Sequence, residues 1–68
     1  MAKKISQKFT ESSNKIHEFG DNLLSMDGHE GFKISEIHFS NNSGNVVCRW
    51  VYENGKLVYR CFPEEPGN

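Results

Sequence analysis

Apolar side chains recur along the first third of the chain at Ile5, Phe9, Ile16, Phe19, Leu23 and Met26, and Ser12 takes the single polar place in the series. The spacings alternate between four and three residues, which is how one face of an amphipathic α-helix is written. Asp27-Gly28 supplies a stop, with glycine suited to the left-handed residue that follows a helix. Residues 10–14 read Thr-Glu-Ser-Ser-Asn, poor helix formers, so two starts are compatible with the pattern. Either one helix runs from about residue 3 to 27, the reading favoured by the unbroken stripe, or a loose basic arm over residues 1–12 precedes a helix from about residue 13. Gly20 weakens the helix locally by roughly 1 kcal/mol relative to alanine. The longer helix would span about 35 Å, against about 27 Å for an eight-residue strand. Ile5 and Phe9 would then overhang the sheet and stand as candidate contacts with another protein or a second copy.

Beyond Gly31 the period changes from 3.6 to 2. Phe32 and Ile34 share one parity and Ile37 and Phe39 the other, so the first strand either carries a bulge near Ser35-Glu36 or begins near residue 34. Asn41 to Asn45 form a turn. Asn54-Gly55, set between aromatic and β-branched residues, predicts a two-residue type I′ hairpin. That loop makes facing residue numbers sum to 109, placing Glu53 opposite Lys56, Trp50 opposite Tyr59, Arg49 opposite Arg60 and Cys48 opposite Cys61. One sheet face then gathers Ile37, Phe39, Val46, Cys48, Trp50, Tyr52, Leu57, Tyr59 and Cys61, apolar enough to receive the helix stripe. The other face collects Glu36, His38, Val47, Arg49, Val51, Glu53, Lys56, Val58, Arg60 and Phe62 and reads as solvated. Pro63 has no N–H for a ladder, so pairing is expected to stop there.

The expected fold is α+β, an N-terminal amphipathic helix on one face of a three-stranded antiparallel meander, in the order α-β-β-β. A single domain covers residues 1–62, and 63–68 form an acidic tail. With 68 residues the chain has room for one modest core and no deep substrate cavity.

Charge changes the picture only locally. The net charge is −1, which argues against a generic nucleic-acid binder. The distribution is uneven, with Lys3, Lys4, Lys8 and Lys15 near the start and Glu18, Asp21, Asp27, Glu30 and Glu36 following. The opening Met-Ala-Lys-Lys precedes no apolar run of secretory type, and no stretch approaches a membrane span. A cytoplasmic location without membrane contact is the expectation, and there thiols stay reduced.

Cys48 and Cys61 are therefore read first as buried reduced thiols, with a cross-strand disulfide as the alternative. Arg49 and Arg60 face one another as like charges, which needs compensation. Glu36 and Glu53 are near enough to provide it. The other reading makes Arg49, Arg60 and His38 an anion site, extended to nucleic acid by the N-terminal lysines. Trp50, Tyr52 and Tyr59 read as core beneath the helix. No catalytic constellation, cofactor motif or metal-ligand spacing is present, so neither enzyme activity nor a cofactor is expected. The function reading is a small non-enzymatic protein-interaction or regulatory module, homodimeric in one form, working through the helix overhang or an open strand edge. The alternative is the nucleic-acid or anion binder.

Overall fold

The computed structural model describes residues 5–64. It contains one helix, α1 (Gln7–Met26), followed by strands β1 (Glu36–Asn41), β2 (Gly44–Glu53) and β3 (Lys56–Glu64). The strands form one antiparallel sheet with β2 in the centre, so the α-β-β-β meander is as expected. Both hairpins have two-residue loops. Asn54 and Gly55 take the positive φ values, 53° and 78°, that the type I′ turn requires. At the other turn the Asn41 side chain accepts hydrogen bonds from the backbone N–H groups of Ser43 and Gly44, an Asx turn that holds the bend. The β2–β3 register follows the turn: Trp50 faces Tyr59, Arg49 faces Arg60 and Cys48 faces Cys61.

The helix boundaries lie between the two expected starts. Ser6 caps the N-terminus, its side chain accepting from the N–H of Phe9 at 3.1 Å. The C-terminus closes as a Schellman motif: Gly28 N–H donates to Ser25 O, and His29 N–H to Leu24 O. Gly28 has φ of 84° there. The helix has 20 residues, about 30 Å, while β2 with ten residues spans about 33 Å. No overhang results. Phe9 packs edge-on against Phe39 with ring centroids 5.2 Å apart, and Ile5 is half-buried, so the overhang argument for these two residues fails. Lys3 and Lys4 lie outside the described residues, as do residues 65–68 of the expected tail.

The larger correction concerns the roll of the helix. The residues facing the sheet are Ser13 and His17, each 1 % exposed, with Thr10, Gly20 and Leu24 half-buried beside them. Each lies one position after a member of the apolar series, so the buried face is turned by about 100° from the stripe. His17 explains the choice. Its Nε2 lies 2.6 Å from the carbonyl oxygen of Ile34, and a carbonyl can only accept, so Nε2 carries the proton. Nδ1 then accepts from the Tyr59 hydroxyl at 2.9 Å, and Ser13 Oγ donates to that hydroxyl at 2.9 Å. Asp21 accepts from the N–H of Ile34 at 2.8 Å. Close approach is permitted at Gly20, where a Cβ would overlap the Ile34 side chain. Among the described residues no buried side-chain nitrogen or oxygen lacks a partner.

Three further expectations change. β1 begins at Glu36 with no bulge, leaving Ile34 as the helix contact before the strand and Phe32 exposed. Cys48 and Cys61 are joined by a disulfide, with Cα atoms 4.0 Å apart, instead of resting as reduced thiols. Pairing also continues through Pro63 to Glu64. Counting outward from the turn, residue 63 falls at a non-hydrogen-bonded pair, like residue 61, so its missing N–H points away from β2 and no ladder bond is lost.

Two outcomes are expected. Tyr59→Phe removes the hydroxyl shared by Ser13 and His17 and should cost about 1–3 kcal/mol in urea unfolding, as deletion of a buried hydrogen-bond partner does. Tyr52→Phe, on an exposed ring, should stay within about 0.5 kcal/mol. A thiol count on protein denatured without reductant should find no free thiol, and both cysteines should react after reduction.

Candidate functional site

Two surfaces carry the chemistry, one charged and one apolar. The charged one is the sheet face away from the helix. Arg60 forms a two-pronged ion pair with Glu53, Nη2 to Oε1 at 2.7 Å and Nε to Oε2 at 3.0 Å. The pair holds the Glu53 carboxyl below its usual range. Arg49 places its guanidinium over the Phe62 ring, 4.9 Å from the centroid. His38 sits between two carboxylates, with Nε2 2.7 Å from Glu36 and Nδ1 3.0 Å from Glu64. The like-charge contact at Arg49–Arg60 is thus relieved in two ways: Glu53 neutralises one member and Phe62 stacks with the other. Glu36 serves His38 and not Arg49. The structure brings Arg49, Arg60 and His38 onto one face, as the register requires, but supplies that face with its own anions.

The apolar surface is the helix stripe. Ile16, Phe19, Leu23 and Met26 are 50, 65, 42 and 79 % exposed, although their spacing suits burial. The same side of the sheet is uncovered toward the Asn54-Gly55 turn, where Trp50, Tyr52 and Leu57 are 43, 77 and 52 % exposed. Of the aromatic group expected in the core, Tyr59 alone meets the helix, and Trp50 rests edge-on against Tyr59 with centroids 5.2 Å apart. So many large apolar side chains in water are unusual for a monomer of this size. Sequence reasoning found the stripe and assigned it to the core. The buried partner set of His17 was the missing signal, because a polar residue one step off an apolar stripe carries no periodicity of its own.

Other features offer less. A shallow, open cleft is lined by Leu24, His29, Phe32, Lys33 and Ile34. Among the described residues no group of three or more His, Cys, Asp and Glu is placed to hold a metal ion. No described helix is long and apolar enough to cross a membrane. The Ser13–Tyr59–His17 chain resembles a hydrolytic relay only in composition, since Ser13 and His17 are buried and Tyr59 stands between them.

The charged face has a pH signature. Hydrogen bonds to Glu64 and then Glu36 raise the His38 imidazole above 6.5. A group raised in the fold contributes stability that is complete below about pH 6.5 and lost as pH climbs through the raised value. An NMR titration should therefore place the His38 midpoint above 6.5, and Glu64→Gln should lower it. A midpoint at or below 6.5 in the unaltered protein would contradict the arrangement. No family model matches the chain, and no curated protein or solved structure matches it either.

Proposed function

We propose that this chain is a small non-enzymatic protein-interaction module whose contact surface is the outward stripe of α1. The observation that carries the reading is the mismatch between pattern and position. A run of large apolar residues at helical spacing faces solvent at Ile16, Phe19, Leu23 and Met26, while the helix is fastened to its own sheet by Ser13, His17, Gly20 and Asp21. Burying a side chain of this size is worth about 1.5–3 kcal/mol relative to exposure, so a partner that covers the stripe gains what the monomer leaves unused. The contact residues move accordingly, from Ile5 and Phe9 to the central and C-terminal turns of the helix.

The candidate anion site at Arg49, Arg60 and His38 is not advanced, because a phosphate would have to displace Glu53 from Arg60 and Glu36 and Glu64 from His38, leaving Arg49 alone unpaired with a carboxylate.

Photocrosslinking tests the reading. A benzophenone amino acid at position 19 should give protein adducts in the native cell, whereas the same group at position 58, on the opposite sheet face, should give far fewer. Equal yields from the two positions, or none from position 19, would refute an interaction through this stripe.

A further inference from the structure

The covering partner is itself open to inference, and this step rests on the stripe being a contact surface at all. We infer that the stripe is covered by a second copy of the same chain, with the two α1 helices packed antiparallel about a twofold axis near Ile16 and Phe19. Three observations point there: the spacing, the area and the charges.

The series Phe9, Ser12, Ile16, Phe19, Leu23, Met26 keeps alternating three- and four-residue steps through the helix. That pattern keeps a seam facing one partner helix over several turns. A sheet or an irregular surface makes no such demand. The inner face of α1 lacks this composition and packs largely through hydrogen bonds, and of the seam Phe9 alone is engaged in the monomer, against Phe39.

The area reaches the lower bound for a specific interface when the four side chains are fully covered. At roughly 200 Å² per large side chain, the exposed fractions of Ile16, Phe19, Leu23 and Met26 amount to roughly 500 Å² per chain. Two copies would withdraw roughly 1,000 Å² from water, the size at which specific interfaces begin. The stems of the bordering Lys15 and Glu18 add to this at the rim.

Charge selects the orientation. Lys8 and Lys15 lie along the N-terminal half of the exposed helix surface, with Glu11 between them bonded to Gln7, and Glu18 lies along its C-terminal half. Asp21, the other acidic residue of that half, is turned inward to the N–H of Ile34. Parallel pairing would stack Lys8 on Lys8 and Lys15 on Lys15. Antiparallel pairing about the Ile16–Phe19 level brings Lys15 of each copy beside the Glu18 turn of the other and opposes the two helix dipoles. A twofold axis repeats every such contact, so each favourable pair occurs twice.

Sedimentation equilibrium of the full chain from micromolar to millimolar concentration tests this. The expected result is a concentration-dependent dimer. Phe19→Glu places a charge at the centre of the seam and should weaken it more than about tenfold, as loss of a central anchor does. Because Phe19 is exposed in the monomer, the helical circular dichroism should be unchanged, and Ile16→Lys provides a second variant. Tyr52→Glu, on the uncovered end of the sheet, should leave dimerisation intact. Lys15→Glu and Glu18→Lys should each weaken the homodimer, and an equimolar mixture of the two should associate more tightly than either alone. A wild-type monomer at millimolar concentration, or a dimer indifferent to Phe19→Glu, overturns the inference. A mixture no tighter than its components overturns the antiparallel orientation. A monomer that still gives heterologous adducts from position 19 removes the second copy and leaves the interaction reading standing. A monomer without adducts removes both.

Discussion

Two hydrogen bonds to one imidazole set the roll of the helix, and the roll decides which side chains reach water. His17 is held between the Ile34 carbonyl, fixed in the chain just ahead of β1, and the Tyr59 hydroxyl, fixed in β3. These acceptor and donor positions come from opposite edges of the sheet. A helix that satisfies both cannot rotate without orphaning buried polar groups, at a cost of about 1–3 kcal/mol for each. Helix–sheet packing through hydrophobic contact alone tolerates rotation and sliding, since its attraction has no direction. Packing through this polar chain does not. The apolar stripe is outside because a more directional interaction has taken the inside.

The sheet was legible almost residue by residue, and for a local reason. Asn54-Gly55 sets a turn type, the turn sets a register, and the register places Cys48, Trp50 and Arg49 opposite their partners without any long-range information. The same counting also explains Pro63: it shares the parity of Cys61, so its missing donor is harmless to β2, although composition alone argued for a stop. The helix was legible as a helix, down to its Gly28 terminus, but its orientation was not. Periodicity reveals that residues 9, 16, 19, 23 and 26 share a face; it does not say what that face meets. The answer depended on contacts between residues more than 40 positions apart, Ser13 and His17 with Tyr59. It also depended on a glycine whose role is close approach to Ile34 and which in sequence reads only as a weak point.

The charged face was predicted in place but not in pairing. Register alone sets Glu36 across from Arg49, which invites an ion pair between them. Instead the imidazole of His38 draws in Glu36 and Glu64 from two strands, and Arg49 turns along the strand to Phe62. Such choices follow side-chain reach and diagonal neighbours, which a list of facing residues does not contain. His38 and Glu36 are exposed and Arg49 and Glu64 no more than half-buried, so their contribution to stability is modest and sensitive to salt. Their clearer effect is to leave the sheet with two unlike surfaces, one self-neutralised and one apolar.

Pro63 has a bearing on which assemblies the sheet admits. Since its ring occupies a place where the backbone N–H would point outward, the free border of β3 offers donors at Leu57, Tyr59 and Cys61 and then a gap. A fourth strand laid along that border would find a template that breaks off before the strand ends. Edge-to-edge growth into fibres needs an uninterrupted template. The chain thus discourages open-ended stacking of its sheets at one border, whereas the helix pairing proposed above closes after a single partner.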